Sequence, residues 1–437
     1  MNPSMESNIH SVSMLQAFGA SNVVGAERLT YPSLEAVAQD ARQIECDLLD
    51  EFWAAVPGSL EEEKLARYAA VGYLVLTAYQ LRNVAPASQP LISKRFTQSS
   101  VELYGAPKPD DVGKLMLGQY GNFRQYVDNP TVDQTRLQDV LATLDEALGG
   151  IIATVEADVN DYHEVAEQMK TALNERYGDV LELFDSFEQD ATELDLESVR
   201  SLFQEGISRL AASDPDWQEW TVEITNGEGM STISKGKKVK IGNRGNYRPE
   251  RLKALFTHEV LVHGLRSVNG YKTGDAFLGK GLPGNLDAEE GVGIFMEYAI
   301  TGVVPNKIVD RYIDISLALG QTRLPALNRT QLHDFHANRQ IVRAQATGRT
   351  PDIAGIERTA WNHADRVYRG SLGNEIIGVN TKDIAYYQGF LKIANYLEAE
   401  ITDGGKTPGD VFVYIMSGCV DPTDIRHQAY LRLLVDS

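Results

Sequence analysis

Two histidines flank a glutamate at His258-Glu259-Val260-Leu261-Val262-His263, and their spacing limits what this stretch can fold into. The approach to them reads as helix. Pro249 and Glu250 suit a helix start, and Leu252, Leu255 and Phe256 recur at helical intervals. On a regular α-helix each residue turns about 100°, so side chains four apart differ by about 40° and side chains five apart by about 140°. The familiar metal-binding pattern H-E-x-x-H uses the first arrangement. Here the histidines are five apart, and at about 140° two imidazoles do not easily reach one ion. A π-type turn, with i→i+5 hydrogen bonds, restores a common face, and such turns are enriched at functional sites. The sequence therefore predicts a π-bulge, or a distortion with the same effect, between His258 and His263.

A third ligand is expected from Asp287-Ala288-Glu289-Glu290-Gly291. Asp287 with Glu290 three residues later has the form of a capping box opening a helix. Gly291 and Gly293 would let that helix approach the first one closely. Glu290 is the expected ligand and Glu289 the alternative. Two histidines and one carboxylate suit a single Zn2+ ion that keeps an open position for water. Glu259 is then placed to act as a general base on that water. Each residue alone has a plainer reading: a helical histidine is commonly a satisfied, half-buried side chain, and Glu289 and Glu290 would also serve as first-turn charges favoured by the helix dipole. The combination favours the metal.

The chain has 437 residues, enough for two or three domains, with 43% hydrophobic and 23% charged residues, an ordinary globular balance. Its net charge of −20 argues against nucleic acid or an anionic membrane as a general partner. Cys46 and Cys419 are the two cysteines, so no disulfide framework is implied. The first 24 residues lack the basic and apolar regions of a signal peptide. The longest apolar stretch, near Ala69 to Tyr79, is too short to span a bilayer. A cytoplasmic protein is expected, and its oligomeric state cannot be read from the sequence.

Most of the chain reads as helix, at about 33–56, 60–84, 132–148, 161–177, 194–212, 285–301, 307–319, 329–344, 381–400, 408–417 and 423–433. The texture changes at Trp220-Thr-Val-Glu-Ile-Thr225, which alternates and is β-branched, followed by an Asn226-Gly227 turn and by Ile233 and Lys238-Val-Lys-Ile241. A small sheet is thus expected just before the histidine motif, in an α+β, helix-dominated fold. The expected division is a tail over 1–25, a helical part over 26–210 and a catalytic part over 211–437.

These motifs resemble the metallopeptidase family of the microtubule-associated tyrosine carboxypeptidases and the bacterial proteins with a QEGLA motif. That family carries H-E-x-x-x-H followed by Q/E-E-G-L-A; here the segments are His258–His263 and Glu289-Glu290-Gly291-Val292-Gly293. Arg266 and Asn269 fit the same pattern. Further echoes lie at Lys94–Pro107, at Arg366-Val-Tyr-Arg369-Gly and at Thr381-Lys-Asp383-Ile-Ala-Tyr386-Tyr-Gln-Gly389. The resemblance implies a zincin-like catalytic part, zinc on His258, His263 and Glu290, and Glu259 as the catalytic carboxylate. Its best-known members remove a C-terminal tyrosine from the acidic tail of α-tubulin. Val292-Gly293 where Leu-Ala is usual, and a short stretch between His263 and Glu290, leave the substrate open.

A carboxypeptidase needs a cation for the substrate's terminal carboxylate and a donor for the oxyanion. Arg266, Arg366, Arg369, Lys94 and Arg95 are candidates for the first role, and Tyr386, Tyr387, His363 and Tyr298 for the second. Arg369 and Tyr386 lead because they lie in family-like motifs. Between Lys235 and Lys253 eight cations face one acid, Glu250. If this strand were a sheet edge, Lys238 and Lys240 would favour an acidic peptide tail paired along it. The same charges also suit an edge that resists aggregation. An aminopeptidase or endopeptidase using the same ion, or a non-enzymatic binding protein holding a structural metal, are the rival readings.

Overall fold

The computed structural model describes residues 84–149, 162–185 and 194–435, with breaks at 227–228, 234–235, 244 and 246, and scattered positions between 60 and 81. The expected tail, the helix at 33–56 and most of the helix at 60–84 fall outside the described residues. In chain order the elements are α1 (Gln89–Tyr104), α2 (Pro109–Arg124), α3 (Gln134–Leu148), α4 (His163–Leu181), α5 (Leu196–Ser213), β1 (Thr221–Thr225), β2 (Met230–Ile233) and β3 (Lys238–Gly242). Then come α6 (Pro249–Phe256), a π-helical segment (Thr257–Gly264), α7 (Leu265–Lys272), α8 (Ala276–Lys280), α9 (Leu286–Thr301), α10 (Asn306–Leu319), α11 (Arg329–Ala346) and α12 (Ile353–Val367). The last three are α13 (Ile384–Glu398), α14 (Pro408–Ile415) and α15 (Ile425–Val435). Helix dominates, with one small mixed sheet. No helix among the described residues is long and apolar enough to cross a membrane.

The chain divides into two compact units, each built from two stretches: Met1–Val159 with Asn306–Ile384, and Asn160–Pro305 with Ala385–Ser437. This differs from a linear division near residue 210. The first unit is helical. Its helices start on side-chain caps: Asp133 accepts from the amides of Thr135 and Arg136, Asn328 forms a capping box with Gln331, and Asp352 accepts from Gly355. Between α10 and α11 lies a buried ion network. Asp310 and Asp314 are one turn apart on α10 and meet Arg343 and Arg339, one turn apart on α11. Burial alone would raise both carboxyls, but the arginines hold them well below the usual carboxylate range.

The second unit holds the sheet and the histidine motif. The strand order is β1-β3-β2, with β1 parallel and β2 antiparallel to β3. The lysine-bearing strand is therefore central, bonded on both sides, and the expectation that it forms a sheet edge is corrected: the edges are β1 and β2. Val222, Val239 and Ile241 are buried. Gln204 of α5 anchors the start of β1, accepting from the amide of Val222 at 3.0 Å and donating to the carbonyl of Trp220 at 3.3 Å. Phe203 of α5 packs edge-on against Phe256 of α6, with centroids 5.3 Å apart. These contacts fix α6, and with it the residues that follow.

Candidate metal centre

The helix carrying His258 and His263 changes to π geometry over Thr257–Gly264 and returns to α at Leu265. This is the distortion that the five-residue spacing requires. The two imidazoles stand on one face, with ring centroids 4.8 Å apart and planes at 70°. The segment is buried except for a half-buried His263. Gly264 lets it pack on Trp217, since a Cβ there would lie 2.8 Å from the indole. Packing of this kind offsets the poorer hydrogen-bond geometry of a π turn.

Glu290, at the start of α9, completes a group of three. Its Oε2 lies 3.8 Å from the Nε2 atom of His258 and 3.8 Å from that of His263. One ligand atom from each residue falls within 4.8 Å of the others. Bonds of about 2.0–2.1 Å to a tetrahedral ion put ligands roughly 3.3 Å apart, so a small inward movement would seat one. The remaining ring nitrogens face other carboxylates. His258 Nδ1 is 2.7 Å from Glu297, and His263 Nδ1 is 2.8 Å from Glu289. Glu289 hydrogen-bonds the His263 ring, and Glu297 stands beside the His258 ring on the side away from Glu290.

Glu289 is itself held. Arg266, fully buried, stands 2.6 Å from it and also donates to the carbonyls of Gly418 and Val420. Burial opposes charge on both His263 and Glu289. The bond to Glu289, with Glu290 and Glu259 nearby, still raises His263 to about 9, while Arg266 and His263 hold Glu289 low. Glu259 has a different partner: its carboxylate lies 2.9 Å from the hydroxyl of Thr232 on β2. Four glutamates, two histidines and the buried Arg266 thus share one interior, a charge balance that a dication suits.

The helix approach depends on glycines, though in two directions. A Cβ on Gly293 would lie 2.6 Å from the His258 ring. A Cβ on Gly291 would lie 2.3 Å from the backbone of Gly389 in α13, so this glycine serves a different neighbour. Asp287 does not cap α9. The helix begins at Leu286 after Asn285, and Asp287, inside the first turn, meets Lys392 at 3.1 Å.

A sequence model of the microtubule-associated tyrosine carboxypeptidases matches residues 160–319 and 353–422, more than half of the chain. All three residues of the histidine–glutamate group lie in the matched segments. The chain belongs to this family. No curated protein and no solved structure matches it. The echo at Lys94–Pro107 lies outside the matched segments. Gly293 takes the place where the carboxypeptidase family usually has alanine, and here the bare helix backbone lies directly under His258.

Other residues expected at the site of this carboxypeptidase-family member have varied surroundings. Arg266 is fully buried and committed to Glu289 and two carbonyls, which leaves it supporting the site from behind. Lys238 pairs with Glu223 at 2.5 Å, and Lys240 sits between Glu223 and Ser231 in the strand register. Lys237 and Lys253 likewise have acidic partners, Glu219 and Asp185, so three lysines of this stretch are paired. Tyr386 lies one turn before Gly389 on α13, on the side that meets α9, and is half-buried. Arg369 belongs to the first unit, where it is buried near Asp383; burial lowers it to about 10. Arg366 and Arg311 pair with the same Asp383. Glu297 is absent from the sequence-based expectation, although it lies seven residues after Glu290, hence on the same helix face.

The first unit contains a second group, Asp314, His336 and His363, all buried, whose ligand atoms also lie within 4.8 Å of one another. His363 Nε2 is 2.7 Å from Asp314, and the two rings stack at 3.9 Å. Asp314 already carries Arg339 on both carboxylate oxygens, at 2.5 and 2.6 Å. Burial, with His336 beside it, lowers His363 to about 3. Its charges balance without an ion, and His336 falls outside the segments matched by the family.

Proposed function

We propose that this chain is a zinc-dependent carboxypeptidase that removes a C-terminal residue from a protein or peptide tail. The observation that carries the proposal is the convergence of two imidazole Nε2 atoms on one carboxylate oxygen, each ring with a glutamate of its own beside Nδ1, with Glu259 left over. His258, His263 and Glu290 would hold a single Zn2+. Such an ion, when bound, polarises a peptide carbonyl and acidifies water.

The protein groups then divide the remaining work. Glu259 accepts a proton from the attacking water and passes it to the nitrogen of the departing residue. Glu297 and Glu289 fix the imidazole tautomers, and Arg266 holds Glu289 in place. Tyr386 is our candidate donor to the developing oxyanion, because its face of α13 meets the first turn of α9 beside Glu290. Lys240 is the most suitable of the strand cations for drawing in an acidic tail, since Lys238 has its own partner. The family's name supports a terminal tyrosine as the first residue to try.

Mass spectrometry of peptides incubated with the purified protein tests the reading. Loss of single residues from the C-terminus is expected. Loss from the N-terminus or internal cleavage would replace the carboxypeptidase reading, and intact peptides throughout would overturn it.

A further inference from the structure

Thr232 stands in an apolar row. The register aligns it with Val239 of β3, which in turn aligns with Val222 of β1, so these three side chains share one sheet face. Val222 and Val239 are buried, and valine has nearly the shape of threonine. A valine would therefore fit the row, yet a half-buried threonine stands there and brings a hydroxyl. Its partner is Glu259: the Thr232 hydroxyl lies 2.9 Å from Oε2 and 2.7 Å from the main-chain carbonyl oxygen of the same residue.

From this geometry we infer that Thr232 is a positioning residue for Glu259, an inference that rests on Glu259 acting as the general base. One hydroxyl spans the carboxylate and the backbone of a single residue. It fixes the carboxylate relative to the π segment that also carries His258 and His263. The second oxygen, Oε1, would then serve the water and the departing nitrogen. Thr232 touches neither of these and acts only through Glu259.

Thr232→Val and Thr232→Ser test this with a peptide ending in tyrosine. Misplacing a catalytic group by an ångström costs about 100-fold, so Thr232→Val should lower kcat by about 10- to 100-fold while KM stays within about twofold. Serine, which restores the hydroxyl, should recover most of the rate. Zinc content and melting temperature should match the wild type in both variants. A Thr232→Val enzyme with unchanged kcat, or a serine variant as slow as the valine one, overturns the inference while leaving the carboxypeptidase reading intact. If the wild type cleaves nothing, that reading fails and a crystal structure of Thr232→Val decides the inference. A displaced or split Glu259 carboxylate supports it, and an unmoved one overturns it.

Discussion

Glu297→Gln is the substitution that isolates how the histidine–glutamate group is prepared for a cation. Glu297 is buried, lies 2.7 Å from His258 Nδ1 and has Arg251 at 3.9 Å on its outer side. Glutamine keeps the shape and an oxygen that can accept from the ring, but it removes the charge. Orienting carboxylates of this kind are worth about 10- to 100-fold in metal affinity, or about 1.4–2.7 kcal/mol. Zinc stabilises the folded chain by RT ln(1 + [Zn]/Kd), so the same amount should disappear from the zinc-dependent part of the stability. The metal-free protein should lose less, because Glu259, Glu289 and Glu290 crowd the same interior and one fewer carboxylate relieves their repulsion. Competition against a chelator of known affinity gives Kd, and thermal melts with and without zinc give the stability difference. A variant that binds zinc as tightly as the wild type would refute the argument that Glu297 orients His258.

Two glycines should respond to alanine with opposite signs. A Cβ on Gly389 would lie 1.9 Å from the carbonyl of Asp287, so α9 and α13 must part, and overpacking of about 1–3 kcal/mol should lower the melting temperature and weaken zinc binding. Gly118, inside α2 with nothing within 4 Å, should gain about 0.5–1 kcal/mol on becoming alanine, as calorimetry of the two variants would show. In the metal-free protein His263 is raised to about 9. Its bond to Glu289 therefore adds stability that is complete below the ordinary histidine pKa of about 6.5 and is lost as pH rises through about 9. Zinc must displace that proton, so calorimetry in buffers of different ionisation enthalpy should show proton uptake by the buffer near pH 7, and Glu289→Gln should diminish it. Zinc content should stay at one ion per chain in His336→Ala and His363→Ala, measured by elemental analysis, because Arg339 already neutralises Asp314.

What the sequence makes legible follows from what is local. The π turn is forced by the spacing of His258 and His263, and Glu290 follows from a carboxylate beside the close-packing glycines Gly291 and Gly293. The sheet shows in the alternation of Thr221–Thr225. The sheet order does not, because β1 pairs with the non-adjacent β3, and that pairing places Lys238 and Lys240 in the centre. α1 is missed for a physical reason: its buried face includes Ser93 and Ser100, satisfied by the carbonyl of Gly370 and by Thr381, so no hydrophobic period marks it. α12 is legible yet absent from the helices expected above: its buried face, Ala360, His363, Ala364 and Val367, recurs at helical spacing. Asp287 has the sequence of a cap, yet Lys392, more than a hundred residues later, claims its carboxylate. Arg266 shows the limit most clearly, since a substrate-binding arginine and one buried against Glu289 read alike until the fold brings Gly418 and Val420 beside it.

The central claim is that Glu259 works on water next to an ion held by His258, His263 and Glu290. The most direct measurement compares the wild type with Glu259→Gln, each loaded to one zinc per chain, for release of the C-terminal residue from a peptide ending in tyrosine. The account predicts the same zinc content in both proteins and a rate in the glutamine variant lowered by at least about 100-fold. Full-rate hydrolysis by Glu259→Gln, or a wild type that releases the residue while binding no zinc, would contradict it.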